Sequence, residues 1–197
     1  MNTLKTICFI FLSLLFFLSC KTSDSIGIKQ IKTEKKISLS LSSKYNSADS
    51  LSLNIPISFE IINEGNSDLE LLDWSINLDN KIKGWDTHRM LTKHGREFDL
   101  GNETINKRET NIYNLILSCS ISTSEANNVL KIYGHGKIAN LKDARDSIQL
   151  SSKKSFFKEF PIIFNSLNKV SDTLIILSST SDRKGFQSLK RKINWEE

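Results

Sequence analysis

The chain has few of the residues that mark specialised protein classes. With 2 Pro and 8 Gly among 197 residues, it is neither collagen-like nor Pro-rich. With 3 Cys, it is not a disulfide scaffold. Charged residues make up 25% and hydrophobic residues 39%, a balance that is typical of a globular protein. The formal net charge of +5 is too small to indicate nucleic acid as a partner.

The motifs of common catalytic sites are missing as well. The sequence contains no G-x-x-x-x-G-K-[ST], G-x-S-x-G, H-E-x-x-H or C-x-x-C. The G-x-G at residues 134–136 has no third glycine and therefore does not predict a dinucleotide loop. Acidic residues are scattered, whereas glycoside hydrolysis needs two positioned carboxyl groups. We therefore expect a protein that is not an enzyme and has no cofactor, with a metal-dependent hydrolase as the less favoured alternative.

The N-terminal segment has the order of features of a secretory signal. Lys5 precedes the apolar run Ile7–Leu18, which only Ser13 interrupts. As a helix this run would measure about 18 Å, which is shorter than the ~30 Å hydrocarbon core of a bilayer. The length predicts a cleaved signal peptide over residues 1–19 rather than a spanning helix.

The four residues FLSC that end this segment at Cys20 resemble the lipobox of bacterial lipoproteins. The resemblance implies cleavage before Cys20 and a covalent lipid on its sulfur. Residues 21–24, KTSD, loosely resemble the surface-export signal of Bacteroidota lipoproteins. We therefore expect an exported protein that its lipid anchors to a membrane. The outer membrane is expected, on its periplasmic face or at the cell surface, with an envelope protein or a glycan as a further partner.

Alternation of apolar and polar residues predicts β-strands along most of the remaining chain. The clearest run is Leu51–Ile62, in which every odd-numbered residue is apolar. Pro56 lies on the polar face of this run and predicts an edge strand or a bulge. Other strands are predicted at 36–43, 72–78, 111–122, 128–138, 148–150 and 172–178, and a strand or short helix at 186–195. No segment shows a helical period of sufficient length. About 7–9 strands predict an all-β antiparallel sandwich.

The segment Ile57–Leu72 reads as a strand, an Asn-rich turn and a second strand. It resembles immunoglobulin-like accessory domains and the late-embryogenesis-abundant type 2 family. Leu130–Ile138, with its central glycine, is similar to a later strand of that family. The resemblance implies an immunoglobulin-like sandwich with a role in stress protection or binding and with no catalytic residues.

The densest group of polar residues lies at 84–94, a segment that reads as a loop. Loops at the ends of sandwiches commonly bind ligands. The candidate binding residues of this loop are Trp85, Asp86, His88, Arg89 and His94. The alternative is a plain surface loop.

Two of these histidines also raise the question of a metal site. Zinc needs three or four ligands at ~2.0–2.2 Å, which His88, His94 and either Asp86 or His135 could supply. Their spacing matches no known ligand pattern, so we predict no metal here.

Three further segments have predicted structural roles. Cys119 and Trp74 alternate with apolar residues, which predicts that both belong to the core. The aromatic-rich segment 156–164 is expected to pack in the sandwich. The basic residues between 183 and 192 are either a solvated terminal segment or a contact with anionic headgroups.

The expected organisation therefore has three parts. Residues 1–19 form the signal peptide, residues 20–36 a lipidated flexible tether, and residues 37–197 the sandwich domain. The expected function is that of a membrane-anchored, non-enzymatic envelope lipoprotein with a binding or scaffolding role. A surface module that binds carbohydrate or peptide is the alternative.

Overall fold

The structure, a computed structural model, describes residues 26–41, 50–78, 85–99, 101–134, 138, 141, 146–168, 172–181 and 185–195. Most of these residues form strands in two antiparallel sheets, which confirms the predicted all-β sandwich. The described residues include ten strands, slightly more than the sequence predicted. Among the helices in this part of the chain, none has the length and apolar character needed to cross a membrane. The segment 1–19 and Cys20 lie outside the described residues.

The two sheets are of unequal size. The first contains β1 (Ile26–Ile31), β2 (Ser38–Leu41), β3 (Ser50–Asn63), β5 (Trp85–Thr92), β7 (Thr110–Ser122) and β8 (Ser147–Gln149). The second contains β4 (Leu69–Asn77), β6 (Glu103–Ile105), β9 (Thr173–Thr180) and β10 (Phe186–Lys192). The strand order in the first sheet is β5-β7-β3-β2-β8, and β1 also pairs with β3. The strand order in the second sheet is β10-β9-β4-β6.

The long strand β3 forms the centre of the first sheet. Its odd-numbered residues from Leu51 to Ile61 are all fully buried, as the alternation predicted. They face the second sheet, because side chains alternate across a strand and most even-numbered positions are polar. Cys119 on β7 is half-buried against this core, and its Sγ lies 3.8 Å from the Leu53 carbonyl oxygen.

Pro56 lies in this central strand, so the prediction of an edge strand or a bulge is wrong. The pairing of β3 with β7 continues through Pro56 without a shift. The Asn63 N–H donates to Glu109 O at 2.9 Å, so by alternation the Pro56 nitrogen points away from β7. On that side β2 pairs as far as Asn54, and β1 pairs from Ser58 onward. The proline therefore lies at a gap between two strands, where no ladder hydrogen bond is lost.

The described residues also include three helices, in segments where the sequence predicted strands or no helix. They are α1 (Thr123–Tyr133), α2 (Lys153–Glu159) and α3 (Pro161–Asn168). Helix α1 overturns the predicted strand at 128–138. A capping box begins it, in which Ser122 Oγ accepts from Glu125 N–H while the Glu125 carboxylate accepts from Ser122 N–H. Gly134 ends it with φ 63°, a left-handed conformation that suits glycine.

The aromatic-rich segment forms helix instead of strand, yet part of it does pack in the core. Phe156 and Phe157 on α2 are buried. Tyr133 at the end of α1 stacks on Phe156, with 6.2 Å between ring centroids. These short helices therefore close one side of the sandwich.

The predicted tether is wrong from Ile26 onward, because Ile26–Ile31 forms β1 and pairs with Ser58–Asn63 of β3. The side chain of Gln30 is almost fully buried at 1% exposure. Its amide donates to Asn194 O at 2.6 Å and accepts from Asn194 N–H at 2.8 Å. The first described strand is thus bound to the last described segment of the chain.

The C-terminal segment also closes the core. Of the two alternatives for 186–195, the strand is correct, and it ends at Lys192. Trp195 beyond it is 1% exposed, and its Nε1–H donates to Asp172 Oδ2 at 3.2 Å. Ile193 N–H donates to Asp172 O at 2.8 Å. The segment after β10 is therefore part of the sandwich.

Candidate functional site

The segment predicted as a binding loop is a strand. Residues 85–92 form β5, an edge strand of the first sheet that pairs with β7. The register shifts between Trp85 and Thr87, which marks a bulge. Polar composition suggested a loop here, but an edge strand with one face in water has the same composition. The loop prediction is therefore wrong.

The strand separates the predicted site residues. His88 contacts Trp74 of the second sheet, with 5.5 Å between ring centroids and an edge-on geometry. Trp74 itself packs against the core. His94 lies in the turn after β5, where Gly95 N–H donates to Thr92 O. The side chains of Trp85 and Asp86, and the whole of His135, lie outside the described residues.

His88 and His94 therefore do not form one site. Within the described residues, no group of three or more His, Cys, Asp or Glu side chains could hold a metal ion. Of the predicted residues whose side chains are described, Arg89 lines a groove on the outer surface of the first sheet.

This groove has a volume of about 240 Å³ and crosses five strands. Side chains from β2, β3, β7, β5 and β8 line it, together with two lysines of the segment before β2. The lining residues are Lys35, Lys36, Ser38, Ser40, Asn54, Pro56, Arg89, Leu91, Ile116, Ser147 and Gln149. We call this cavity the outer groove.

Small polar side chains on neighbouring strands make the floor of the outer groove. Asn54 is 8% exposed and connects three strands. Its Oδ1 accepts from Ser118 Oγ at 2.6 Å, and its Nδ2 donates to Ser40 Oγ at 2.9 Å. Ser38 Oγ lies farther from the same nitrogen, at 3.5 Å. The network fixes the direction of the Asn54 amide and therefore of the hydroxyl groups beside it.

A second pair lies four residues farther along β3. Ser58 Oγ donates to Asn114 Oδ1 at 2.8 Å, and both side chains are buried. The outer face of the central strands is thus built from short hydroxyl and amide side chains, which leave room between the longer residues at its rim.

The rim of the outer groove is positively charged. Lys35, Lys36 and Arg89 contribute three cations. Among the described residues, no acidic side chain and no aromatic ring lines the groove. Cations that line a groove together with no described acidic side chain attract an anion into it, and Arg can bind a carboxylate or phosphate with two hydrogen bonds.

A second cavity of about 510 Å³ lies beside His94, and its lining includes the cations of Lys93 and Arg96 and the carboxylate of Glu103. The Arg96 guanidinium donates to the Glu103 carboxylate, which is itself buried. Burial, with the charge of Glu103 as a second cause, raises the pKa of Tyr113 in its wall to about 12. Because Glu103 offsets one of the two cations, this cavity has a smaller excess of positive charge than the outer groove, whose three cations have no acidic side chain in the described lining.

Most residues of the outer groove were not predicted from the sequence. The Ser and Asn positions of β2 and β3 read as an ordinary solvent-facing side of two strands. The signal that could have found them is the pattern itself, since Ser52, Asn54 and Ser58 are short at positions where exposed strands often carry long charged residues.

Comparison with known proteins does not narrow the function. No model of a known protein family matches the chain, and no curated protein matches it significantly in sequence. The functional argument therefore depends on the geometry of the outer groove.

Proposed function

We propose that the protein is a lipid-anchored, non-enzymatic binding module of the bacterial cell envelope, and that its ligand is an acidic carbohydrate held in the outer groove. The observation that carries the binding role is the charge of this groove. Three cations line it, and no described acidic side chain does. The anchor is supported by the lipobox resemblance at Cys20.

The groove favours an anionic ligand over a neutral one. Neutral sugars are commonly held by aromatic rings that stack on their apolar face, and no described aromatic side chain lines the groove. Hydrogen bonds between a charged donor and a carboxylate are about twice as strong as neutral ones. Lys35, Lys36 and Arg89 offer such donors.

The floor favours a carbohydrate over an acidic peptide. Hydroxyl groups of Ser38 and Ser40 both donate and accept, as sugar hydroxyl groups do. A peptide would more readily add to the open edge of β5, but part of that edge is already paired. Thr92 N–H donates to Arg96 O at 2.8 Å, and Phe98 N–H donates to Met90 O at 2.9 Å.

Titration with oligosaccharides tests the proposal. We expect binding of oligomers of a uronic acid and no binding of neutral oligomers of the same length. Arg89→Ala and Lys36→Ala should each weaken binding about tenfold, because each removes a charge-assisted hydrogen bond. Lys154→Ala is the matched control, since Lys154 is an exposed lysine that does not line the groove.

Three results would contradict the proposal. The first is equal binding of neutral and acidic oligomers. The second is unchanged affinity in both groove variants. The third is tighter binding of an acidic peptide of equal charge, which would show that the ligand is a peptide and not a carbohydrate.

A further inference from the structure

Strand β10 is an edge strand of the second sheet and has an unusual surface. Phe186 at its start is 76% exposed, which is rare for a large aromatic side chain. Lys190, Arg191 and Lys192 at its end are all exposed. Neither β10 nor the neighbouring strand β9 contains an acidic residue. The strand therefore presents an aromatic ring and three cations to its surroundings.

Strand β1 runs beside β10, and the two strands are in contact. Phe186 lies at the same end of the sandwich as Ile26. Three contacts place them there. Ile26 pairs with Asn63, and the Asn63 side chain donates a hydrogen bond to Ser67 O. The next residue, Asp68, accepts a hydrogen bond at its carbonyl oxygen from Ser181 N–H, at the end of β9. The chain then enters β10 at Phe186.

The length of chain before β1 limits how far this end can lie from a lipid on Cys20. Residues 21–25 separate Cys20 from Ile26. Even fully extended, this segment spans at most about 20 Å. The two ends of the sandwich are about 40 Å apart along β3. One end is marked by the pairing of Ile62 with Thr110, and the opposite end by the pairing of Ser50 with Ser122.

We propose that the β10 edge of the sandwich rests on an anionic bilayer surface, with Phe186 at headgroup depth and Lys190 and Lys192, which lie on the same face of the strand, facing lipid phosphates. This inference rests on the lipid anchor of the proposed function. An exposed apolar ring enters the boundary between headgroups and acyl chains favourably, and basic side chains near an anionic leaflet are attracted to it.

The charged residues around β1 do not by themselves indicate a contact with an anionic membrane. Lys29 lies opposite Glu60 in the register of β1 and β3, and Lys32 is close in sequence to the exposed Glu34. The cations of β10 have no such partner on β9. Exposed lysines on an edge strand also discourage pairing with other chains, but that role does not require the exposed ring of Phe186.

Photocrosslinking of the lipidated full-length protein tests this orientation. A photoreactive phenylalanine analogue replaces Phe186 in one variant and the exposed Ser124, next to the Ser122 pairing, in the control. Each variant is reconstituted in vesicles of equal parts phosphatidylglycerol and phosphatidylcholine, and lipid adducts are measured by mass spectrometry. We expect adducts at position 186 and none at 124.

Charge reversal supplies the second arm. Lys190→Glu with Lys192→Glu should reduce the adducts at 186 several-fold, as should vesicles of phosphatidylcholine alone. Lys93→Glu is the control, because Lys93 follows β5 at the opposite edge of the first sheet from β1. This control should leave the adducts at 186 unchanged.

The outcomes separate this inference from the proposed anchor. If Cys20 carries lipid but position 186 gives no adducts, or as many as position 124, the orientation is wrong and the anchor stands. If the adducts at 186 persist after charge reversal, the proposed contact between the lysines of β10 and lipid phosphates is also wrong. If the mass of the protein shows no lipid on Cys20, both the anchor and the orientation fail.

Discussion

The side-chain Nδ2 of Asn63 donates a hydrogen bond to the carbonyl oxygen of Ile105 at 3.1 Å. Asn63 ends β3 in the first sheet, and Ile105 ends β6 in the second, so this contact joins the two sheets at one end of the sandwich. The same nitrogen lies within hydrogen-bond distance of Ser67 O and Asn106 O, and Oδ1 accepts from Gly65 N–H. One buried amide therefore holds two turns in place.

Replacing Asn63 should destabilise the fold strongly. Asn63→Ala leaves several buried backbone groups without partners, so we expect the free energy of unfolding to fall by about 3 kcal/mol. Urea unfolding measures this loss. Asn77→Ala, at an exposed asparagine of β4, is the control and should change stability by less than about 0.5 kcal/mol. Equal effects of both variants would show that Asn63 is not a structural link.

Trp195 should contribute to stability through its ring nitrogen as well as its burial. Trp195→Phe keeps most of the apolar contact but removes the donor to Asp172 Oδ2. We expect a loss of about 1–3 kcal/mol on urea unfolding, because a buried carboxylate loses a partner. Trp74→Phe, at a half-buried tryptophan, should cost less. A larger effect at Trp74 would contradict this assignment.

Changing the charge of the outer groove should affect binding more than folding. Asn54→Asp has nearly the same shape, and the hydroxyl groups of Ser38 and Ser40 can turn to donate to its carboxylate. The new negative charge should weaken binding of a uronic acid oligomer at least tenfold at low salt, while the circular dichroism spectrum stays unchanged. An unchanged affinity would show that the oligomer does not bind in this groove.

The raised pKa of Tyr113 predicts a loss of stability in alkali. The phenol titrates at 10.0 in the unfolded chain and at about 12 in the folded protein, mainly because burial disfavours the charged form. Between these values the unfolded state releases more protons, so stability falls as pH rises from 10 to about 12. Urea unfolding across this range, compared with Tyr113→Phe, measures the effect. The variant should show a shallower fall; an identical fall would contradict the prediction.

The strands with strict alternation could be predicted from the sequence because one face of each is continuously buried. β3 and β7 are long, and most of their apolar positions lie on the buried face. β1 was missed because only Ile26 and Ile28 pack inward, between polar and basic residues. Helix α1 was missed because its buried face is only Ala126, Val129 and Leu130, too short a pattern to show a helical period.

The outer groove could not be predicted because it is assembled across strands. Arg89 was identified for its place in a polar segment, whereas Lys35 and Asn54 reach the same groove from other parts of the chain. Their proximity depends on strand order, which alternation does not encode. Alternation distinguishes a core face from an outer face, but it does not show which outer face is concave.

The central claim is that a lipid on Cys20 holds this binding module at a membrane. Metabolic labelling with palmitate, followed by membrane fractionation and a high-salt wash, tests it most directly. We expect label and membrane retention in the wild type and in Cys119→Ala, and loss of both in Cys20→Ala. An unlabelled wild type, or a Cys20→Ala variant that stays on the washed membrane, would contradict the account.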